Sequence, residues 1–318
     1  MPAQPLFVSS GDLIADRRYR WALDYLDRGD AGAAMDILRQ VVATAPGFAT
    51  AWFALAVIRE RLGDRDGAVA AFRAARDADP HDYHGARLHL ARLGVGEATP
   101  AMTATYVRRL FDQHAPEFDK ALIERLDYRA PKLLLDAVSA VAGDRPRFGA
   151  ALDIGCGTGL VGAAFRPLCD RLVGIDISPG MIAQARGKGL YDRLAVSDLT
   201  DFLIAEAGAS YDLVLAADVL VYCSEIVSIA TRVARVMAPG ALFAFTVETH
   251  DDPGALLQPT LRYAHGARHV RTAVGDAGLQ LLQLAEVSVR DEGGAPVRGL
   301  LAVAGNAASP APLSADRA

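Results

Sequence analysis

Two patterns of apolar and polar positions divide the chain. Through about residue 93, small and apolar residues recur at helical spacing, and the recurrence is itself periodic. Gly29 and Gly63 stand 34 residues apart, and the same offset links Asp30 to Asp64, Ala34 to Ala68 and Pro46 to Pro80. Gly-Asp reads as the end of one helix and the start of the next, because glycine tolerates a left-handed residue and aspartate accepts N-cap hydrogen bonds. Proline closes each unit, since a helix interior does not continue through it. Trp21, Ala22, Tyr25, Leu38 and Val41 form the expected inner faces of the first unit. Trp52, Leu55, Ala56, Phe72 and Ala75 form those of the second. From Ala150 onward, short apolar runs alternate with helical stretches, which predicts a parallel sheet covered on both faces. The predicted strands are residues 150–154, 171–176, 193–197, 211–216 and 241–247. Two further runs, 279–290 and 297–304, flank Asp291-Glu292-Gly293-Gly294 and read as a closing antiparallel hairpin.

The 34-residue units resemble the tetratricopeptide repeat. Two units are clear, and residues 83–93 read as a third, solvating helix with a polar face of Arg87, His89 and Arg92. The expected organisation is therefore repeats over 17–93, a Gly/Pro-containing linker over 94–103, an α/β domain over 104–306 and a disordered tail rich in Ala, Ser and Pro over 307–318. The repeats offer either a surface for a protein partner or substrate, or a stiffening and solubilising function.

Composition narrows the class. The 318 residues are 52% hydrophobic and 22% charged, enough to bury a core, and the net charge of −5 argues against a nucleic-acid-binding surface. Three cysteines, Cys156, Cys169 and Cys223, are too few and scattered for a disulfide framework or zinc site, and no His/carboxylate cluster suggests a metal. No basic start precedes an apolar run, and no segment reaches the ~20 apolar residues of a membrane helix, so a cytoplasmic chain without membrane association is expected.

The candidate chemistry lies at the predicted strand ends, where open α/β sheets bind ligands. The first strand runs into Leu152-Asp153-Ile154-Gly155-Cys156-Gly157-Thr158-Gly159-Leu160. A glycine turn lets a ligand approach the backbone, as in dinucleotide enzymes. Here the spacing is GxGxG, and Asp153 precedes the first glycine by two residues. A carboxylate there is awkward beside a diphosphate and suits a ligand bearing an ammonium and a sulfonium, which favours S-adenosylmethionine over a dinucleotide. Asp176 ends the second strand, where a carboxylate accepts ribose hydroxyls in either ligand class. Asp198 follows the third strand and is placed to accept from an adenine amino group. Asp218 follows the fourth. Each of these acids has a plainer reading as a helix cap or turn residue, but together they mark four successive strand ends.

LDIGCGTGL, VGIDISPGMI, SDL, YDLVLAADVLVY and VMAPGALFAFTVE, in that order, resemble the motifs of class I S-adenosylmethionine-dependent methyltransferases, the small-molecule branch above all. The resemblance covers residues 106–305. It implies a Rossmann-like seven-stranded sheet with an antiparallel last pair, preceded here by the all-α repeats. It implies a cofactor-binding set of Asp153, Gly155, Cys156, Gly157, Asp176, Ile177, Asp198, Leu199 and Asp218. The segment from Phe111 to Asp119 is similar to the family's YDxxAxxYD element over the cofactor, with Phe at both Tyr positions. Arg129 either pairs with the cofactor carboxylate or sits in a surface ion pair.

A sulfonium already activates its methyl group, so alignment and exclusion of water are demanded, whereas a base is demanded only by a protonated nucleophile. Tyr222, Glu248, His250, Tyr263 and His265 lie near the expected cleft. His265, in a loop placed to cover the substrate, is the preferred base, with Tyr222 beside it as a catalytic candidate. Asp218-Val219-Leu220-Val221 replaces the Asn/Asp-Pro-Pro-Tyr of amino-methylating enzymes, and Cys223 follows Tyr222 rather than a proline, unlike a cytosine-C5 nucleophile. The reading is O- or C-methylation of a small organic acceptor. The alternatives are methylation of a protein or carrier-bound substrate recruited by the repeats, a repeat adaptor that binds cofactor without turnover, and, more remotely, a dinucleotide oxidoreductase.

Overall fold

The structure, a computed structural model, describes residues 7–95, 102–143 and 147–306. Most of the expected linker and the whole of the expected tail lie outside these residues. The chain divides into two compact units, residues 1–109 and 110–318.

The first unit contains helices α1 (Leu13–Asp27), α2 (Ala31–Thr44), α3 (Ala49–Arg61), α4 (Arg65–Ala78) and α5 (Ala86–Arg92), each packed on the next. Asp30 and Asp64 cap α2 and α4 by accepting from the amides of Ala33 and Gly67, both at 2.9 Å. Tyr19, Leu38, Phe48, Leu55 and Phe72 fill the interior. Trp21 and Tyr25 depart from the expected inner face and are 47% and 38% exposed. The buried positions of α1 are Ala15, Asp16, Tyr19 and Ala22, so a residue two places beyond Tyr19 points the other way. α5 is shorter than expected because Asp82, at φ +52°, ends the preceding turn and caps the helix from outside. His89 is not part of a solvating face: its ring stacks on Phe72 at 4.6 Å beside Glu60.

The second unit takes in the end of α6 (Ala104–His114), then α7 (Phe118–Lys120), a π-helical turn at Ala121–Arg125 and α8 (Ala130–Ala142). Strands β1 (Phe148–Ile154), β2 (Cys169–Asp176), β3 (Arg193–Val196), β4 (Tyr211–Ala216) and β5 (Met237–Glu248) alternate with α9 (Leu160–Phe165), α10 (Pro179–Gly187), α11 (Leu199–Ala205) and α12 (Ile226–Val236). After β5 come β6 (Ala255–Leu257), β7 (Tyr263–His265), α13 (Ala267–Asp276), β8 (Gln280–Glu292) and β9 (Ala295–Gly305). The sheet order is β3-β2-β1-β4-β5, all parallel, with β9 antiparallel to β5 and β8 antiparallel to β9. The short β7 and β6 extend β5 at its carboxyl end through Glu248 and Ala264. Three-residue strands are too short to show a period, so this ribbon reads as a loop in sequence.

Alternation along the strands feeds two cores. Leu152, Ile154, Val173, Ile175 and Val214 face α11, α12 and α13, whereas Ala151, Leu172, Leu213 and Leu215 face α8 and α9. A strand buried on both faces holds its register tightly, because a one-residue slip exchanges the faces. That rigidity fixes the carboxyl ends of β1, β2, β4 and β5 relative to one another.

Candidate functional site

The turn after β1 is built on backbone that side chains disfavour. Gly155, at φ +65°, would place a Cβ 2.4 Å from Val219 Cγ2, so this position excludes even alanine. The Cys156 amide donates to the Ile175 carbonyl at 2.8 Å, which ties the turn to β2. Asp176 completes the tie: one carboxylate oxygen accepts from Gly157 N at 2.9 Å and the other from Ser178 N at 2.8 Å. Burial pushes Asp176 up to about 6, against the pull of these two amides and with the help of nearby Asp112.

Asp153 lies one turn of chain earlier, opposite Gly174 of β2 and Leu215 of β4, and is 1% exposed. One oxygen accepts from the Tyr191 hydroxyl at 2.7 Å, and the other, Oδ1, is buried without a partner. Burial pushes Asp153 up to about 7; the Tyr191 bond opposes this and Asp176 adds to it. An unpaired buried carboxylate oxygen is costly, and a ligand cation in contact with it would remove that cost.

The segment from α6 to α7 sits against this turn. Asp112 accepts from Ser178 Oγ at 2.5 Å and from Gly180 N at 3.0 Å, at the start of α10. Asp119 accepts from Thr158 Oγ1 in the glycine turn and from Lys188 Nζ, the latter at 2.6 Å. The Phe118 ring approaches Gly157, and Phe111 contacts Phe118 and Tyr222 edge-on, with centroids at 6.0 and 5.3 Å. Phenylalanine at the two positions where the resembling element carries tyrosine thus keeps the aromatic packing and drops the hydroxyls.

Beyond β4 and β5 lies a buried ionic cluster. Asp218 is neither a helix cap nor a free acid: one oxygen accepts from Thr246 Oγ1 at 3.1 Å and the other from Arg290 Nη1 at 2.6 Å. Arg290 also donates to Glu248, which accepts from Arg262 Nε at 2.6 Å. Burial pushes Tyr128 and Tyr222 beside the cluster upward, Tyr222 to about 12, so both hydroxyls stay protonated.

Arg129 is committed to an ion pair, with Nη2 on Asp291 at 2.6 Å. Asp198 spends Oδ1 on capping α11, accepting from Thr200 N at 2.7 Å. His265 is not in a loop over the substrate. It belongs to β7, is fully buried, and has Nε2 3.3 Å from the Leu220 carbonyl and its ring stacked on His269. Burial, then the neighbouring His269, lowers it to about 4. Its burial in β7, with Nε2 against the Leu220 carbonyl, weighs against it as the base. Tyr263 is buried in the same strand, and His250 contacts the Gly254 carbonyl. Cys156 is buried, and burial pushes its thiol well above the usual range. Ile177 and Leu199 are half-buried beside Asp176 and Asp198. Tyr191, Thr246 and Arg290 join the site although no local motif marks them. Arg290 carried a weak signal as a charge inside an apolar strand run, and Tyr191 carried none.

Residues 152–243 match the family model for a methyltransferase domain, and residues 19–83 match that for a tetratricopeptide repeat. Human methyltransferase-like protein 27 is 35% identical over 145 residues, 44% of this chain and 57% of that protein. The malonyl-[acyl-carrier protein] O-methyltransferase of Enterobacter lignolyticus is 26% identical over 50% of this chain and 60% of its own. The match thus spans little more than half the length of these two relatives. The ubiquinone biosynthesis O-methyltransferase of Xanthomonas oryzae pv. oryzae is 29% identical over 54% of this chain and 71% of its own. Among solved structures, the [4+2]-cyclase SpnF aligns with a TM-score of 0.53 at 18% identity, over 65% of this chain and 97% of its own. The 1,6-didemethyltoxoflavin-N1-methyltransferase of Burkholderia thailandensis, with bound S-adenosylhomocysteine, aligns at 0.51 and 17% identity, over 63% and 87%. The first compact unit thus holds the segment that matches a tetratricopeptide repeat, and the second holds the segment that matches a methyltransferase domain and shares the fold of these solved structures.

Proposed function

We propose that the second unit binds S-adenosylmethionine at the carboxyl ends of β1 and β2 and transfers its methyl group to a small organic acceptor, at oxygen or carbon. The observation that carries this reading is the unpartnered Oδ1 of Asp153, 1% exposed and next to the glycine turn. The residues present fit the group. Asp153 suits its ammonium, Gly155 to Gly157 give close backbone approach, and Asp176 retains lone pairs for ribose hydroxyls beyond its two amide bonds. When bound, S-adenosylmethionine supplies a methyl group already activated on sulfur. The protein's part is then placement and dryness. Phe111, Phe118 and Tyr222 exclude water beside the turn, and Asp112 and Asp119 pin the covering segment to α10 and the glycine turn. Tyr222, protonated, serves as a hydrogen-bond donor to the acceptor rather than as a base.

The test is turnover of methyl-labelled S-adenosylmethionine by the full chain against a panel of small phenols, carboxylic acids and activated methylenes. Labelled product with release of S-adenosylhomocysteine is expected. Cofactor binding without release on any acceptor overturns the small-acceptor reading. A second reading, a protein or carrier-bound acceptor, is favoured by one feature: Leu13, Ile14 and Trp21 are exposed on α1 beside Arg17 and Arg18, a surface suited to an acidic protein. Turnover only on such a macromolecular acceptor would select it.

A further inference from the structure

Tyr191 lies in the connection between α10 and β3, yet its hydroxyl reaches Asp153 at the end of β1, 38 residues away in sequence. Three glycines make room for it. A Cβ on Gly162 of α9 would lie 2.2 Å from the Tyr191 hydroxyl oxygen, and one on Gly174 of β2 would lie 2.7 Å from its ring. One on Gly159 would lie 3.1 Å away. Gly162 and Gly174 have ordinary negative φ, so their backbone does not require glycine. Glycine weakens a helix or strand interior, and at such positions it marks a close approach by another group. Here that group is the tyrosine ring.

We propose that Tyr191 is a positioning residue: its hydroxyl fixes one oxygen of Asp153, so that the other, unpartnered oxygen is presented to the ammonium of the cofactor. The proposal rests on the functional reading above. The other titratable groups whose charge bears on Asp153 are Asp176 at the end of β2, Cys156 in the turn, Tyr128 ahead of α8 and Cys169 at the start of β2. Burial pushes Cys156 and Tyr128 upward and Cys169 to about 11, so all three stay neutral near pH 7. Asp176, raised only to about 6, is mostly ionised there. Asp153, raised to about 7, is the acid that titrates in this range, and the Tyr191 hydrogen bond is what lowers it. Binding of a cationic ligand is then coupled to loss of a proton from Asp153, and removal of the hydroxyl moves that coupling to higher pH.

The experiment is calorimetric titration of S-adenosylhomocysteine, which retains the ammonium, into full-length wild type, Tyr191→Phe, Asp153→Asn and the double variant between about pH 6 and 8. Melting temperatures check each fold. Wild-type affinity is expected to rise with pH and flatten above about pH 7. Tyr191→Phe is expected to bind about fivefold more weakly near pH 7 and only about twofold more weakly at pH 8, the effect of a one-unit upward shift. Asp153→Asn is expected to lose the pH dependence above about pH 6.5, and adding Tyr191→Phe to it is expected to change affinity little. A Tyr191→Phe profile identical to wild type, or one lowered by the same factor at every pH, overturns the proposal. A folded wild type that binds no S-adenosylhomocysteine at any pH overturns the functional reading and this role together.

Discussion

Arg290 reaches from the closing hairpin to Asp218 at the end of β4, with Nη1 2.6 Å from Oδ2 and only 6% of the arginine side chain exposed. Through the same guanidinium it holds Glu248 at the end of β5, so one cation links two adjacent strand ends to β8. Removing it leaves Asp218 without its counter-charge and Glu248 with Arg262 alone. Arg290→Met is expected to destabilise the second unit by about 3–5 kcal/mol, and neutralising Asp218 and Glu248 in the same chain to recover much of that loss. Denaturant unfolding checks this. An Arg290→Met protein as stable as wild type would show that the cluster is solvated rather than structural.

Asp176 supports the glycine turn and is the candidate for the ribose. Asp176→Ala is expected to weaken S-adenosylmethionine binding by about 1.5–3 kcal/mol, the range for hydrogen bonds to a charged group. Unchanged calorimetric affinity in a folded variant would remove the ribose assignment.

The raised carboxyl at Asp153 has a sign in stability. Its folded value of about 7 exceeds the unfolded value, so the ligand-free folded state binds more protons than the unfolded state between about pH 4 and 7. Asp153 therefore costs stability progressively as pH rises through that window. The stability difference between Asp153→Asn and wild type is expected to move in favour of the variant by an amount on the order of a few kcal/mol from about pH 5 to pH 8. Guanidinium titrations at the two pH values measure it, and a pH-independent difference would contradict it.

His265 acts in the opposite sense. Its folded value of about 4 lies below the unfolded value, so protonation of the unfolded chain draws stability away as pH falls from about 6.5 to 4. His265→Gln is expected to flatten this acid dependence and to leave kcat near wild type, because the ring is fully buried. A kcat lowered a hundredfold in a folded variant would restore it as a base.

Gly162→Ala would drive a Cβ into the Tyr191 hydroxyl. Overpacking of this kind costs about 1–3 kcal/mol. Thermal unfolding is expected to show that loss, and S-adenosylhomocysteine binding near pH 7 is expected to weaken with it. A variant that retains both stability and affinity would mean that the ring moves aside freely.

What was legible in the sequence was what local chemistry determines. The Gly29-Asp30 and Gly63-Asp64 helix junctions, the βα alternation and the glycine turn each carry their meaning within a few residues. Strand ends shifted by a few positions, because burial and not composition decides where pairing stops: β5 begins at Met237, four residues before the apolar run. What was not legible depends on residues distant in sequence. Whether Arg129 is free depends on Asp291, and whether Asp218 is free depends on Arg290. His265 read as a loop residue because a three-residue strand has no detectable period, and its burial follows from that strand pairing with β5 and β6. Tyr191 stayed hidden because its role is written in Gly162 and Gly174, whose purpose appears only once the ring is in place.

The proposed function depends on an S-adenosylmethionine site at the carboxyl ends of β1 and β2. Calorimetric titration of the full chain with S-adenosylmethionine and S-adenosylhomocysteine, with NADH as the control, tests it most directly. Saturable binding of the first two and none of NADH is the predicted result. Binding of NADH, or no binding of either sulfur ligand by the folded protein, would contradict it.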